Sequence, residues 1–485
     1  MPDGRRQEVR GRNMDWKTLL SPVRVRTAAT RSGSGRDLRS EFEKDYHRII
    51  GSASFRRLQD KTQVFPLDKS DFIRTRLTHS MEVSSIAKSL GQNISQDILQ
   101  NGRDPEFDWQ MKEDICNILQ CAGLIHDIGN PPFGHFGESA IREWFRENLP
   151  KLKFQGEPVT KLLSNQMLAD FYNFEGNAQA LRLIAKLHFL VDEHGMNLTY
   201  ALLNTIVKYP VPSTQMNPHS GDIKDKKMGF FFAEQELYQK IAKETGTLGL
   251  RHPLTFILEA ADDIAYKTAD IEDAFKKGCI SYHALLKELE RYEQTASQRE
   301  KEYFNAAGVL RDKYAAAGKR RIADREEYAV QNFLVRVQGM LIACATYGFI
   351  NHYDQIMQGT YKYDLFEFTY ARGLMKLLGD IAYRYVFITN PIFKLEVAAD
   401  TVLRSHLDRF VAAALYYDTQ VPQRDVEEKL IALISENYKQ AYHACAAGKS
   451  EEERLYLRLL LVTDYVCGMT DSYAKSLYQE LNGIV

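Results

Sequence analysis

Two histidines and two acids lie within fifteen residues, in the segment LIHDIGNPPFGHFGE at positions 124 to 138. His126 and Asp127 end a run that has the apolar spacing of a buried helix, and the glycine and prolines that follow stop that helix. His135 and Glu138 come after this turn and are three positions apart. Imidazole and carboxylate groups bind metal ions and transfer protons, so the segment predicts a catalytic or metal-binding site. The pair of His126 and Asp127 alone would be weak support, because a neighbouring backbone group or carboxylate more often satisfies such a histidine.

Two other segments carry residues that suit the same site. RTRLTHSMEV places His79 at the start of an amphipathic helix. LEAADDIAYKTADIEDA spaces Asp262, Tyr266 and Asp270 by four, which puts them on one helical face. Two imidazoles and two carboxylates suit a hard to borderline divalent cation, Mg²⁺ or Mn²⁺, with Fe²⁺ or Zn²⁺ as alternatives. The candidate metal ligands are His79, His126, Asp127 and Asp262.

Such a metal centre would have the chemistry of a hydrolase. A bound cation lowers the pKa of its water and neutralises phosphate charge. The imidazole of His135, oriented by Glu138, would then serve as a general acid or a general base. Three separate helices must converge on the ion for this interpretation to hold.

Helical periodicity dominates the rest of the chain. Apolar residues recur at three- and four-residue steps in several runs, one of which is Val83, Ile86, Leu90, Ile94 and Ile98. Strand signals are few: TQVFPL and KMGFFF would pair only locally, and no alternating β-α series occurs. The predicted fold class is therefore mainly α.

Length and composition describe a globular chain. Its 485 residues exceed the usual size of one compact core, so we expect two or three lobes, or one large helical body with extensions. Hydrophobic residues make up 44% and charged residues 26%, which excludes a disordered or fibrous protein. The net charge of −1 argues against a wholly basic nucleic-acid binder. The first forty residues hold ten basic and four acidic residues, which predicts a flexible arm or, alternatively, a phosphate- or DNA-binding arm.

Cysteine usage and hydropathy bear on the compartment. The six cysteines form no CxxC pair and no regular framework, which favours reduced thiols. We expect no membrane span, because the apolar stretches look shorter than the roughly 18 to 20 residues that a span needs. We also expect no signal peptide, because no hydrophobic region follows the arginine-rich start. The predicted location is cytoplasmic, without a membrane segment.

Several segments together resemble one enzyme family. RTRLTHSMEV, LIHDIGNPPFGHFGE, FEGNAQALRL and EAADDIAYKTADIEDA closely resemble the HD-superfamily deoxyguanosine triphosphate triphosphohydrolases, the bacterial dGTPases. SFRRLQDKTQVFP and DYVCGMTDSYA are similar to the opening and closing blocks of that family. The similarity runs in order from about residue 40 to the C terminus, which is far more specific than a single His-Asp dipeptide. It is looser over residues 286–330 and 418–432, where regulatory or intersubunit contacts would be expected.

The resemblance implies a fold, a reaction and a catalytic apparatus. The fold is a helical HD domain with an additional C-terminal helical region, and the reaction removes the intact triphosphate from dGTP or another deoxynucleoside triphosphate. The family's metal ligands fall on His79, His126, Asp127 and Asp262. Asp262 is preferred to Asp263 because the family's last ligand stands four positions before a tyrosine, here Tyr266. His135 and Glu138 match the family's catalytic pair, whose roles as base toward the nucleophile and acid toward the leaving group both stay open.

The resemblance also implies contacts to the sugar and the base. Tyr266 would stack under the deoxyribose and leave no room for a 2′-hydroxyl, which predicts discrimination against ribonucleotides. Gln63 and Asp270 would contact the 3′-hydroxyl region. Glu396, in KLEVAAD, resembles a position that contacts the base.

Basic residues of the same pattern are candidates for the triphosphate. Arg76, one helical turn before His79, supplies a bidentate fork, and Lys208 with Tyr209 supplies a point charge and a hydroxyl. A surface salt bridge is the alternative role of Arg76. Asn177 and Gln179, in FEGNAQ, either shape the pocket wall or cap a helix.

The predicted organisation has three parts: a basic arm over residues 1–40, an HD-type catalytic core over residues 41–275, and a helical extension over residues 276–485. The extension would complete the substrate pocket and form oligomer contacts. The resemblance implies a homohexamer, and in some family members a response to single-stranded DNA or to a nucleotide effector.

There are two alternatives, one within enzymes and one that is not an enzyme. Another HD phosphohydrolase, acting on a nucleoside monophosphate, a cyclic dinucleotide or an alarmone, would share the metal ligands. It would not need a 2′-hydroxyl filter or a triphosphate clamp, so Tyr266, Arg76 and Lys208 discriminate against it. A helical DNA-binding or nucleotide-sensing protein would be expected to have lost a metal ligand, and all four candidates are present.

Overall fold

The computed structural model describes residues 13–26, 37–65, 67, 70, 72–188, 192–388 and 390–484. Within these residues the chain is built almost wholly of α-helices, which confirms the predicted mainly α fold. Most of the basic residues of the predicted N-terminal arm, from Arg5 to Arg12 and from Arg31 to Arg36, lie outside the described residues.

Connections of unequal length join the helices, the longest in the described part of the chain over residues 207–234. The first twelve are α1 Trp16–Leu19, α2 Glu41–Ile50, α3 Ala53–Arg57, α4 Arg76–Gln100, α5 Trp109–Ile125, α6 His135–Asn148, α7 Val159–Leu162, α8 Asn165–Tyr172, α9 Gly176–Arg182, α10 Tyr200–Ile206, α11 Gln235–Glu244 and α12 Pro253–Lys276. The others are α13 Tyr282–Thr295, α14 Gln298–Tyr303, α15 Ala306–Lys319, α16 Arg325–Asn351, α17 Tyr353–Met357, α18 Arg372–Ala382, α19 Asn390–Ala414, α20 Asp425–Leu433, α21 Glu436–Ala446, α22 Glu451–Gly468 and α23 Asp471–Leu481. Two π-helical turns, Leu183–Leu187 and Tyr383–Phe387, continue α9 and α18.

Extended structure in the described residues is limited to one hairpin and three isolated bridges. The hairpin pairs β1, Lys153–Phe154, with β2, Glu157–Pro158, and the sequence did not predict it because two-residue strands show no apolar alternation. The strand predicted in TQVFPL reduces to a single bridge between Thr62 and Thr75. The KMGFFF stretch likewise contributes one bridge, between Phe230 and Pro212.

Helices α4, α5 and α12 pack against one another and frame the first half of the chain. The side chains of Thr75 and Asp108 each accept a backbone N–H and so start α4 and α5. Near the end of α5, Gly123 lies so close to α4 that an added Cβ would come within 2.6 Å of the backbone nitrogen of Ser84. The close approach at Gly123 brings the last turn of α5 against the first half of α4.

Helix α22 lies inside the core, and every residue from Leu455 to Gly468 is buried. Asp464 of α22 forms an ion pair with Arg182 of α9 at 2.7 Å, and Arg182 also forms one with Glu234 at 2.8 Å. Buried charges of this kind persist only when each has a partner. The C-terminal segment therefore supports helices of the first half directly, and the predicted domain boundaries at residues 40 and 275 stay predictions.

Residues 13 to 26 of the predicted arm pack on the helical body. Trp16 is 1% exposed and donates its indole N–H to the Tyr353 hydroxyl at 2.8 Å. Arg24 is also buried, and its guanidinium pairs with Asp45 at 2.5 Å and with Glu41 at 2.9 Å. This arginine therefore neutralises acids of the helical body and is not a free cation.

One helix, α16, is long and apolar enough to cross a membrane by length and composition, which the sequence interpretation missed. Half of its most apolar window is buried inside the chain. The helix packs against α4, α12 and α15, which is the arrangement of a core helix in a globular protein.

Candidate active site

Three helices bring two histidines and one aspartate to a common point. His79 lies in the first turn of α4, His126 directly follows α5, and Asp262 lies in the middle of α12. Oδ1 of Asp262 is 3.2 Å from Nε2 of His79 and 3.3 Å from Nε2 of His126. The three candidate ligand atoms lie within 4.8 Å of one another, which is close enough for one cation to contact all three.

The last turn of α5 orients the imidazole of His126. Its Nδ1 is 2.8 Å from the carbonyl oxygen of Gly123, and because a carbonyl can only accept, Nδ1 carries the proton and donates. Nε2 is buried without a hydrogen-bond partner and faces the carboxylate of Asp262. Burial lowers the pKa of His126, but the charges of Asp127 and Asp262 outweigh burial and raise it. A buried lone pair that faces a carboxylate attracts a cation, so the donor set fits a divalent metal ion.

Asp127, the fourth candidate ligand, borders the cluster and is paired with an arginine. Its Oδ2 is 3.6 Å from Nε2 of His126 and forms an ion pair with Arg76 in the first turn of α4. Burial raises the pKa of Asp127, but His126 and Arg76 outweigh burial and lower it, so the carboxylate is ionised. The ionised carboxylate of Asp127 can turn toward a cation once the guanidinium of Arg76 binds another anion.

Lys208 holds the other carboxylate of the site. Its Nζ donates to Oδ2 of Asp262 at 2.9 Å, the oxygen that does not face the histidines. Burial lowers the pKa of Lys208, but the charge of Asp262 outweighs burial and raises it, so the amine is charged. Arg76 and Lys208 therefore neutralise the acids of the cluster from the side of the cavity.

His135 and Glu138 form a hydrogen-bonded pair in the first turn of α6. Nδ1 of His135 is 3.0 Å from Oε2 of Glu138, whose Oε1 accepts the backbone N–H of Gly176 at 2.8 Å. Glu138 is 2% exposed, whereas 76% of the His135 side chain is open to the cavity. The hydrogen bond that Glu138 accepts raises the pKa of His135. Burial alone would raise the pKa of Glu138, but the same hydrogen bond outweighs burial and lowers it. The imidazole of His135 can therefore exchange a proton with a ligand in the cavity through Nε2.

The turn that leads into α6 requires glycine. Gly134 has φ of +61° and ψ of −129°, and an added Cβ would lie 2.5 Å from a guanidinium nitrogen of Arg76. The preceding Phe133 also has a positive φ, of 62°. This backbone path places His135 beside the arginine that contacts Asp127.

A cavity of 570 Å³ lies over the cluster, a size that suits a small-molecule ligand. The histidines of the cluster, His79 and His126, do not line it. Its lining consists of Arg76, Asp127, His135, Glu138, Lys208 and Asp262, together with Gln63, Asn177, Tyr209, Asp263, Tyr266 and Glu396. The rings of Tyr266 and Phe387 are nearly parallel, with an interplanar angle of 13° and centroids 6.4 Å apart. Flat apolar rings next to basic groups are suited to a nucleotide.

Two predicted substrate or wall residues do not line this cavity. Asp270 is 1% exposed and lies one turn beyond Tyr266, where burial and the nearby Asp273 raise its pKa well above the ordinary value. Gln179 is fully buried, and its amide donates to Asp464 at 2.9 Å, so it supports the core. The roles assigned to these and the other site residues stay predictions.

The position of Asp263 differs from that of Asp262. Its carboxylate lies 3.5 Å from Nζ of Lys267, one turn further along α12, and it is outside the cluster. Burial raises the pKa of Asp263 to about 6.

Sequence reasoning missed several residues of the cavity. Lys227 lines it and donates to Glu175 at 2.8 Å, although it comes from a charged loop, KDKKMG, without any recognisable motif. Glu175 lies in the segment FEGNAQ, in which a role was predicted only for the amides Asn177 and Gln179. Phe387 enters from the π-helical turn after α18, and nothing in its local sequence distinguishes it from a core aromatic.

The site defines the class of protein to which the chain belongs. A histidine from one helix joins an adjacent histidine and aspartate from a second and an aspartate from a third, which is the arrangement of an HD-domain phosphohydrolase. The family model described as HD domain matches residues 76–209. This range contains His79, His126 and Asp127, whereas Asp262 lies beyond it.

Comparison with curated proteins identifies the family within that class. The chain is 46% identical over 474 residues to a deoxyguanosinetriphosphate triphosphohydrolase-like protein of Listeria monocytogenes, with 97% of this chain and 100% of the relative covered. A protein of the same name from Synechocystis is 33% identical over 483 residues, with 97% and 100% covered. A deoxyguanosinetriphosphate triphosphohydrolase of Serratia proteamaculans is 33% identical over 513 residues, with 96% and 99% covered. The chain belongs to the deoxyguanosinetriphosphate triphosphohydrolase family of HD-domain hydrolases, as its motifs predicted.

Proposed function

We propose that this protein hydrolyses deoxynucleoside triphosphates, dGTP in preference, to a deoxynucleoside and tripolyphosphate, with Mg²⁺ or Mn²⁺ as its cation. The observation that carries the proposal is one cavity in which Asp262, the carboxylate shared with the cluster of His79 and His126, lies beside basic side chains and a flat aromatic wall. The names of the Listeria and Serratia relatives support dGTP as the substrate.

The cation would be held by His79, His126, Asp127 and Asp262. When bound, it supplies a water of lowered pKa and neutralises phosphate charge. Two imidazoles beside two carboxylates also suit Fe²⁺ or Zn²⁺, which are the alternative metals.

Three basic side chains would bind the triphosphate: Arg76, Lys208 and Lys227. Each is ion-paired with a carboxylate of the site. A cation that neutralises Asp127 and Asp262 would release Arg76 and Lys208 to phosphate oxygens at little electrostatic cost. Burial raises the pKa of Tyr209, so its phenol stays protonated and can donate to the same oxygens.

His135 would move the proton that the reaction requires. Its Nδ1 is bonded to Glu138, which leaves Nε2 to face the cavity. From there Nε2 either accepts a proton from the attacking water or donates one to the departing 5′-oxygen of the deoxynucleoside. The ionised Glu138 stabilises the imidazolium form in both cases.

The deoxynucleoside would lie against Tyr266, with Phe387 as the facing ring and Glu396 toward the base. Gln63 is the proposed contact of the 3′-hydroxyl, whereas Asp270 does not line the cavity and is not proposed as one. Oε1 of Gln63 is buried without a hydrogen-bond partner and is therefore available to accept one.

Product analysis tests the proposal directly. We would incubate the metal-supplemented protein with each of the four dNTPs and with GTP, and separate the products by chromatography, with His126→Ala as the control. We expect deoxyguanosine and tripolyphosphate from dGTP, little product from GTP and none from the variant. Release of orthophosphate or pyrophosphate would contradict a triphosphohydrolase and favour another HD phosphohydrolase.

Replacing Tyr266 with alanine is expected to weaken the sugar filter. Burial and the nearby Asp270 raise the pKa of Tyr266, so its ring stays neutral. We propose that this ring lies where a 2′-hydroxyl would have to fit. We expect the ratio of kcat/KM for dGTP to that for GTP to fall at least about tenfold. Phe387→Ala is the control, because it removes the facing ring and should weaken both nucleotides alike. An unchanged ratio in the Tyr266 variant would refute the filter.

The proposal includes a cytoplasmic homohexamer that responds to single-stranded DNA or to a nucleotide effector. Support for these properties comes from the family resemblance alone. Light scattering after size-exclusion chromatography tests the oligomer, and dGTP hydrolysis with and without an oligonucleotide or a second dNTP tests the effectors.

A further inference from the structure

Asp471, the first residue of α23, binds two chain segments that are distant in sequence. Its Oδ1 accepts the backbone N–H of Phe133 at 2.9 Å, and its Oδ2 accepts the backbone N–H of Thr62 at 3.0 Å. The hydroxyl of Thr62 donates to the same Oδ2. Asp471 is 2% exposed, so these donors satisfy a buried carboxylate that water hardly reaches.

Both segments lead into the active site. Thr62 and the following Gln63 line the cavity at the proposed 3′-hydroxyl contact. Phe133 lies two residues before His135, in the turn that carries two successive positive φ angles. Such backbone conformations persist at a non-glycine residue only when the surroundings hold them, and the N–H of Phe133 is held by Asp471.

Asp471 itself lies outside the substrate cavity. It lines a separate cavity of 340 Å³ on the far side of Thr62, between the segment 59–75 and helix α23. A carboxylate there cannot contact a nucleotide that lies against Tyr266. Its influence on the reaction must pass through Thr62 and Phe133.

A second side chain reinforces the same connection. Nζ of Lys61 donates to the carbonyl oxygens of Asn130 and Cys467, both at 2.6 Å. Asn130 belongs to the turn before His135, and Cys467 to the last turn of α22. The end of α22 and the start of α23 thus hold both segments, and the start of a helix is favourable for a negative side chain.

We propose that Asp471 is a positioning residue. It fixes the position of the sugar-contacting segment, at Thr62 and Gln63, relative to the turn before His135. The effect on catalysis rests on the proposed function. The carboxylate suits this task because it has two acceptor oxygens for three donors, whereas an amide would turn an NH₂ group toward one of them.

Asp471→Asn tests the proposal because it keeps the size of the side chain and removes one acceptor. We expect kcat for dGTP to fall about 10- to 100-fold, with a smaller change in KM, because small displacements of a catalytic group have effects of this size. The preference for dGTP over GTP should also fall. Hydrogen exchange followed by mass spectrometry should show faster exchange in peptides that contain Thr62 and Phe133, with α22 unchanged.

Asp60→Asn is the matched control. Oδ1 of Asp60 accepts the hydroxyl of Ser472 at 2.8 Å, so this residue also joins the segment before Thr62 to α23 but does not reach Phe133. We expect this variant to keep kcat, the dGTP preference and exchange near Phe133 at wild-type values.

A merely structural role of Asp471 would lower the melting temperature while kcat per folded molecule, nucleotide preference and exchange near Phe133 stayed unchanged, which would overturn the proposal. Equal effects in both variants would overturn it as well. If the wild-type protein hydrolysed no dNTP, the proposed function would fail, and the exchange measurement would still decide whether Asp471 holds the two segments.

Discussion

Replacing His126 with alanine is expected to lower kcat/KM for dGTP by more than about 1,000-fold, because the cation that activates water would no longer be held. Nε2 of His126 is buried, unpartnered and 3.3 Å from Oδ1 of Asp262. Without the imidazole, one of the four proposed ligands would be missing. Asp127 would then keep its ion pair with Arg76.

Two measurements check this expectation independently. Metal content after dialysis, measured by inductively coupled plasma mass spectrometry, should fall from about one ion per chain to background. Titration with Mn²⁺, followed by the electron paramagnetic resonance of the free ion, should show tight binding to the wild type and none to the variant. Hydrolysis of dGTP should fall in parallel with binding.

His406→Ala supplies a matched control for the loss of a buried histidine. His406 is also fully buried, its Nε2 donates to the carbonyl of Ala474 at 2.8 Å, and its Nδ1 has no partner. It differs from His126 in its charged surroundings: burial lowers the pKa of His406, whereas two carboxylates raise the pKa of His126. Both substitutions leave a cavity and should cost about 2 to 4 kcal/mol of folding free energy.

Only the His126 variant should lose the metal and the activity. Full metal content in His126→Ala would rule out His126 as a ligand. Equal losses in the two variants would show that the buried imidazole matters for folding alone. The comparison therefore separates the metal centre from the stability of the core.

The helices that carry the site could be predicted because their apolar spacing is regular and their ends are marked. Gly129, Pro131 and Pro132 follow shortly after His126 and Asp127. His79 lies just inside the cap at Thr75. The convergence of these helices could not be read from periodicity, since it depends on close contacts such as that of Gly123 with Ser84. One glycine within a helix does not show in the sequence which other helix lies against it.

Tertiary contacts also explain what the sequence left out. Lys227 and Phe387 reach the cavity from a loop and from a π-helical turn, and neither position has a local signal of function. Gln179 shares a motif with Asn177 yet points into the core toward Asp464, because successive residues of α9 face different sides. The strand predicted around Thr62 is reduced to one bridge, because only Thr75, the residue before α4, pairs with it.

Replacing Glu138 with glutamine is expected to lower kcat about 100-fold or more and to move one limb of the pH profile of kcat to lower pH. The amide would keep the size of the side chain but lose the negative charge that holds Nδ1–H of His135 and stabilises its protonated form. The pKa of His135 is raised in the wild type mainly by this hydrogen bond, so it should fall toward its ordinary value in the variant.

The sign of the shift is the same for both candidate roles of His135, and the limb that shifts identifies the role. If the imidazolium acts as the acid, activity is lost as pH rises through its pKa, and the alkaline limb moves to lower pH. If the neutral imidazole acts as the base, activity is lost as pH falls through its pKa, and the acid limb moves to lower pH.

Profiles of kcat against pH for the wild type, Glu138→Gln and His135→Ala would measure this shift. Glu143→Gln is the control: Glu143 lies on the same helix at the surface, 57% exposed and 3.4 Å from Arg404, and its loss should change neither kcat nor the profile. A limb that stays in place in Glu138→Gln, or that persists in His135→Ala, would assign the titration to another group. Glu138 also accepts the N–H of Gly176, the first residue of α9. A fall in kcat without a shift of the pH profile would therefore mean that Glu138 positions the start of α9 and does not stabilise the charge on His135.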